Sequence, residues 1–256
     1  MILTFDIGNT QLSGGVFDNG KMIFQFRRGT VQGTSSDELG IFLRLVLREN
    51  GIESGQITQI ACCSVVPSMN YAAAGACVKY FGIEPLMIKA GIKTGLKLKY
   101  GNPKEIGADR IAAAVGAVSL EPGKNIIIID MGTATTVDVV SAGKEYMGGA
   151  ILAGINMSMH ALASGTAQLP VVEIVVPEKA CGNSTAGAIQ SGLYYGTIGA
   201  LKELIQVFTE DMFKGNRPFV LGTGGMSHLF EKTPLFDRIV PSLVLDGLRT
   251  ALELNR

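Results

Sequence analysis

The chain opens on an apolar run, residues 1–6, that ends at Asp6 and gives way to Gly8-Asn9-Thr10. An apolar run closed by glycine and small polar residues predicts a buried strand followed by a turn. Gly14-Gly15-Val16-Phe17 predicts a second strand, Asp18-Asn19-Gly20 a tight hairpin, and 21–26 a third strand. The same order returns later, with a strand over 126–130, a turn at Gly132-Thr133, a strand over 136–140, a turn at Ala142-Gly143 and a strand over 145–152. The two aspartates lie 130 − 6 = 124 residues apart, and the two hairpin glycines 143 − 20 = 123. A period of about half the chain predicts a duplicated domain, because solenoid repeats run roughly 20–50 residues.

Helix and strand patterns alternate after each three-stranded start. In the first half Ser36-Asp37 predicts the cap of a helix through about Glu49, followed by a strand over 57–62, a helix from Pro67 to about Tyr80 and a short strand over 86–88. In the second half helices are predicted over 155–164 and 185–213, a strand over 218–221, and further helices near Met226 and Ser242. Glu121-Pro122-Gly123 is the natural seam, which divides the chain into lobes 1–121 and 122–256. The expected class is α/β, with two similar lobes facing one another.

Composition narrows the partners. Lysine plus arginine and aspartate plus glutamate each total 22, so no broad field favours nucleic acid or an anionic membrane surface. Any anionic ligand must be held locally. The cysteines, Cys62, Cys63, Cys77 and Cys181, have no metal-ligand spacing and fit a reducing compartment. With no apolar stretch near the roughly 20 residues of a membrane span and no basic leader pattern, the expected location is the cytoplasm.

The repeated aspartate-to-glycine turns carry the candidate chemistry. Gly8 and Gly132 permit a tight turn, so backbone amides and Thr10, Thr133, Thr135 or Thr136 can donate to phosphate oxygens. Asp6 and Asp130 would repel bare phosphate, and their presence implies a cation between carboxylate and phosphate. An ordinary hairpin turn is the competing explanation for either copy, and the duplication favours phosphate binding. Gly222-Thr223-Gly224-Gly225 lacks the dinucleotide spacing and suits either a loop under a nucleotide's sugar or base or a turn that opens a helix.

Tyr100-Gly101-Asn102-Pro103 predicts a turn, and Gly107-Ala108-Asp109-Arg110 opens an alanine-rich helix through about Val118. An acid and a base at a helix start can hold an anionic group, and Asp109 can orient a hydroxyl whose proton leaves late in phosphoryl transfer. A helix cap with a surface ion pair is the alternative. His160 and His228 lie outside these motifs and are expected to be structural. Arg27-Arg28 and Lys97-Leu98-Lys99 predict solvated basic clusters, Met157 and Met159 core filling, and the cysteines packing rather than reaction.

Taken together, Asp6-Ile7-Gly8-Asn9-Thr10, Tyr100 with Gly107-Ala108-Asp109-Arg110, Asp130-Met131-Gly132-Thr133-Ala134-Thr135-Thr136, Gly148-Gly149 and the stretch 185–192 resemble the type III pantothenate kinases. The resemblance implies an actin-like, sugar-kinase-like fold of two ribonuclease-H-type lobes that transfers the ATP γ-phosphate to pantothenate. By position, Asp6, Ile7, Gly8, Asn9, Thr10, Gln11, Leu12 and Ser13 would line the ATP phosphates, with Thr133 also on ATP. Tyr100, Gly107, Ala108, Asp109, Arg110 and Thr185 would bind pantothenate, with Asp109 as proton acceptor. Asp130 would hold a monovalent cation, K⁺ or NH₄⁺, and Asp6 the Mg²⁺ of ATP, directly or through water. A homodimer with the substrate site near its interface is also implied. An actin-fold kinase for another small acceptor, or a nucleotide-binding regulator without turnover, are the rival expectations.

Overall fold

The computed structural model describes residues 1–89 and 91–256. Its first elements are strands β1 (Ile2–Ile7), β2 (Gln11–Asp18) and β3 (Lys21–Gly29), helix α1 (Ser36–Arg48), β4 (Gln59–Ser64), α2 (Asn70–Phe81) and β5 (Leu86–Met87). There follow β6 (Lys97–Leu98), α3 (Ala108–Leu120), β7 (Ile126–Met131), β8 (Ala134–Val140) and β9 (Glu145–Ala153). The chain closes with α4 (Ile155–Gly165), α5 (Thr185–Phe213), β10 (Phe219–Thr223), β11 (Arg238–Ile239) and α6 (Leu243–Leu254). Two compact units result, one of Met1–Leu96, Gly101–Leu120 and Leu243–Arg256, the other of Lys97–Tyr100 and Glu121–Ser242.

Each unit is a mixed sheet flanked by helices. The first sheet runs β3-β2-β1-β4-β5 and the second β11-β10-β7-β8-β9-β6. Read from β9, the second repeats the first strand for strand, with β6 added at its edge. The registers repeat as well. Asp6 faces Ser13 and Asp130 faces Thr136, an offset of 136 − 13 = 123. A bulge interrupts β2–β3 at Val16/Phe17 and β8–β9 at Val139/Val140, again 139 − 16 = 123 apart. The one-residue contraction from 124 arises in the turn after each aspartate, where Ile7 pairs with Leu12 but Met131 pairs with Thr135.

In the first unit the period of two along β1 separates two faces. Leu3, Phe5 and Ile7 enter a core with Leu39, Leu43 and Leu47 of α1 and Ala73, Ala76 and Cys77 of α2. Thr4 and Asp6 therefore face the other way. Helix α1 is held by a capping box between Ser35 and Glu38, so the cap lies one residue before the expected Ser36-Asp37. Helices α3 and α6 cross closely: a Cβ on Gly247 would lie 1.8 Å from the Ala112 carbonyl oxygen, and one on Gly116 2.4 Å from that of Leu243.

In the second unit β7 is buried along Ile126, Ile127, Ile128 and Ile129, as a central strand covered on both faces must be. Its core joins Ile189, Leu193 and Leu201 of α5 to Met159 of α4. Met157 is 46% exposed, so only Met159 fills the core as expected. Lys97-Leu98 forms the edge strand β6, paired in parallel with Glu145-Tyr146, rather than a purely solvated cluster.

Candidate active site

In the first unit Asp6 sits one residue before the end of β1, and the turn that follows is closed by the Gly8 amide on the Gln11 carbonyl at 3.0 Å. Thr30 buttresses the turn, its hydroxyl donating to the Gly8 carbonyl at 2.7 Å and its amide to Thr10 at 2.9 Å. Asn9, Thr10 and Gln11 are exposed, whereas the side chains of Ile7 and Leu12 are buried in the core. Those two residues can offer a ligand only their backbone.

Helix α3 brings Asp109 to the same unit. Its carboxylate accepts from the Arg110 amide at 2.8 Å, satisfying one of the first-turn N–H groups that have no partner within the helix. A Cβ on Gly107 would lie 2.4 Å from Asp109 Oδ1, so the glycine is what leaves room for the carboxylate. Ala108 and Asp109 are half-buried and Arg110 is buried. The negative charge of Asp109 is felt at both Asp6 and Cys63, so the expected base and the aspartate near the end of β1 share one electrostatic neighbourhood.

The second unit builds its loop differently. Asp130 lies beside Thr136 on β8 and Thr223 on β10. The late glycine loop then folds onto it. Gly224 has φ +86°, and a Cβ there would lie 2.4 Å from Asp130 Oδ1 and 2.5 Å from the Met131 amide nitrogen. Thr133 is exposed at the turn tip, and Gly154, the N-cap of α4, packs so closely that a Cβ would lie 2.2 Å from the Thr133 carbonyl oxygen. The turn thus meets a helix N-terminus, whose amides favour anions.

Tyr100 belongs to the second unit, where its ring lies 6.2 Å from that of Tyr146 and against Gly148, at φ +106°. Tyr146 is buried, and its hydroxyl donates to buried Asp138 at 2.5 Å. Thr185 is exposed at the start of α5, whose cap is the Ser184 hydroxyl accepting from the Gly187 amide. It lines a largely apolar cavity of about 860 Å³ with Ala153, Leu162, Leu169 and Ile189. Among the described residues no group of three or more His, Cys, Asp or Glu side chains is arranged to hold a metal ion. Single carboxylates beside hydroxyls and amides fit Mg²⁺, which keeps phosphate and water ligands, better than a metal needing a protein cage.

Comparison with known proteins identifies the family and the fold. The model of the family described as type III pantothenate kinase matches residues 2–207. The chain belongs to that family. The type III pantothenate kinase of Legionella pneumophila (strain Corby) is 51% identical over 255 residues, covering 100% of this chain and 99% of the relative. That of Elusimicrobium minutum is 46% identical over 256 residues, with 100% and 99% covered. Among solved structures, a candidate 2-dehydro-3-deoxygalactonokinase from Sinorhizobium meliloti aligns with a TM-score of 0.59 at 12% identity, covering 99% of this chain and 98% of that one. At that identity the likeness concerns the fold, which is the actin-like, sugar-kinase-like one.

Within this family member, Asp6 has an unusual environment. Burial pushes its carboxyl from an ordinary 3.8 up to about 7; the Cys63 thiol's hydrogen bond partly offsets the rise and the charge of Asp109 adds to it. Because the folded state binds this proton more tightly than the unfolded chain, ionised Asp6 costs stability as pH rises from about 4 to about 7, and the cost is constant above that. Asp6→Asn should therefore raise the Tm of the ligand-free protein, with the gain growing between pH 5 and pH 7.5. Thermal scans across that window check it, and a gain independent of pH would exclude the effect. Sequence reasoning missed Cys63, Gly154 and the contact of Gly224 with Asp130. The glycine pairs offered the one available signal, since close backbone approach is a common use for glycine.

Proposed function

We propose that this chain phosphorylates pantothenate with ATP, giving 4′-phosphopantothenate and ADP in the first step of coenzyme A biosynthesis. Membership of the type III pantothenate kinase family supports the substrate and the reaction. The observation that carries the mechanism is the electrostatic proximity of Asp109 to Asp6 within one unit.

In this reading the turn from Gly8 to Gln11, with Ser13 and the backbone of Ile7 and Leu12, donates hydrogen bonds to the phosphates, Thr133 is assigned to ATP, and Asp6 acts through the cation it holds. The pantothenate hydroxyl forms a bond to the γ-phosphorus, the bond from that phosphorus to the β–γ bridging oxygen breaks, and the hydroxyl proton passes to Asp109. A carboxylate is basic enough because the proton leaves late. Tyr100, Gly107, Ala108, Arg110 and Thr185 are each assigned to the acceptor. Asp6 would hold Mg²⁺ through one carboxylate oxygen or a water, and Asp130 a monovalent cation, K⁺ or NH₄⁺. Bound cations would neutralise charge on the β- and γ-phosphates.

The proposal includes a homodimer with Thr185 near its interface and a cytoplasmic location. It is supported by the exposed apolar cavity at Thr185, and no helix among the described residues is long and apolar enough to cross a membrane. Incubation with pantothenate, ATP, Mg²⁺ and K⁺ should yield ADP and phosphorylated pantothenate in equal amounts by mass spectrometry. Replacing K⁺ with Na⁺ should raise the KM for ATP. ADP formation with a different acceptor and none with pantothenate would redirect the assignment to another kinase of this fold.

A further inference from the structure

We propose that Cys63 is a positioning residue for Asp6: its thiol holds one carboxylate oxygen so that the other is presented to the nucleotide-bound cation. The Cys63 sulfur lies 3.0 Å from Asp6 Oδ1. Strands β1 and β4 run parallel with Asp6 directly opposite Cys63, so the two side chains leave the sheet on the same face. Neighbouring Cys62 leaves on the other face and joins the core beneath α1 and α2. Adjacent cysteines thus have separate duties, one filling the core and one touching the carboxylate.

Cys63 is 0% exposed and Asp6 is half-buried at the strand end. Among the described residues, the thiol is the hydrogen-bond donor found on the Asp6 carboxylate. Toward an ionised Asp6, the form that holding a cation requires, the S–H is the donor. A sulfur with no exposed surface acts on a bound ligand through the carboxylate it holds. It can restrict rotation of the carboxylate, which otherwise has a broad terminal torsion. This role rests on reading Asp6 as part of the phosphate-binding loop.

Cys63→Ala should raise the half-saturating Mg²⁺ concentration and the KM for ATP by roughly 3- to 10-fold, the effect of losing one hydrogen bond. The kcat at saturation and the KM for pantothenate should stay within about 2-fold, since a binding-only role moves KM alone. Cys63→Ser keeps a donor and should restore near-normal values. Calorimetric titration with Mg-ADP should show the same ranking without turnover. An independent readout is the S–H stretching band in the infrared difference between the unmutated protein and Cys63→Ser, expected at the lower frequency of a hydrogen-bonded thiol, with and without Mg-ADP.

Unchanged Mg²⁺ and nucleotide affinity in Cys63→Ala, or a Cys63→Ser variant as impaired as Cys63→Ala, overturns the positioning role. If Cys63→Ala does not fold, the infrared band decides, and the frequency of an unbonded thiol overturns the proposal. Asp6→Asn separates the two levels. Full Mg-nucleotide affinity in Asp6→Asn removes the phosphate-loop reading itself, whereas loss there with normal Cys63→Ala removes only the part assigned to Cys63.

Discussion

Asp109→Asn is expected to lower kcat by about 100- to 10,000-fold, the usual contribution of a positioned acid or base, while leaving Mg-nucleotide affinity within a few-fold of normal. The replacement is nearly isosteric, and its amide oxygen can still accept from the Arg110 N–H, at 2.8 Å in the native helix turn. Binding geometry is therefore preserved and only the proton acceptor is lost. Because phosphoryl transfer demands orientation more than strong abstraction, the lower end of that range is the expected one. The charge of Asp109 also raises the Asp6 carboxyl, so its removal favours ionised Asp6 and should not weaken cation binding. Steady-state kinetics with calorimetry of Mg-ADP checks both parts. An unaltered kcat removes Asp109 from the reaction, and a lost nucleotide affinity assigns it to binding instead.

Gly247→Ala should destabilise the protein despite placing a better helix former in α6. The helix-propensity gain is at most about 1 kcal/mol. Against it stands a Cβ 1.8 Å from the Ala112 carbonyl oxygen and 3.0 Å from the Gly116 nitrogen, both backbone atoms that no rotamer change can move. Separating α3 from α6 enough to admit a methyl group also opens the packing around it, an overpacking cost of about 1–3 kcal/mol and occasionally more. The clash should win. At roughly 2–4 °C per kcal/mol for a chain of this size, Tm falls by several degrees. Activity should fall too, because α3 carries Asp109 at its start. A Tm equal to or above that of the unmutated protein would show that the helices separate without cost.

The fold was legible where the chemistry is local. Apolar runs ending in Asp6 and Asp130 marked β1 and β7, the Asn19-Gly20 pair marked a hairpin at positive φ, and the helix expected over 185–213 is α5. Ser35 was missed as a cap because Ser36 and Asp37 carry the same preference, and only the Glu38 side chain reaching back decides among them. The edge strand β6 was missed because two residues carry no period, and its pairing with β9 supplies what the local pattern lacks. The candidate site divides in the same way. Its aspartates and glycines stood out as punctuation, whereas Cys63 looked like any small core residue.

The sequence by itself determined the duplication, since two aspartates and two hairpin glycines at offsets of 124 and 123 are landmarks that turn chemistry alone makes visible. It likewise located the central strands to within one residue, since β1 and β7 run one position past Asp6 and Asp130, to buried Ile7 and Met131. Tertiary structure alone decided that α6 packs with the first unit instead of the half of the chain it follows, that Cys63 faces Asp6, and that Gly224 closes on Asp130. Each of these joins residues far apart in the chain. Such neighbours are selected by sheet order and by how closely two backbones can approach, and neither leaves a periodic trace along the chain.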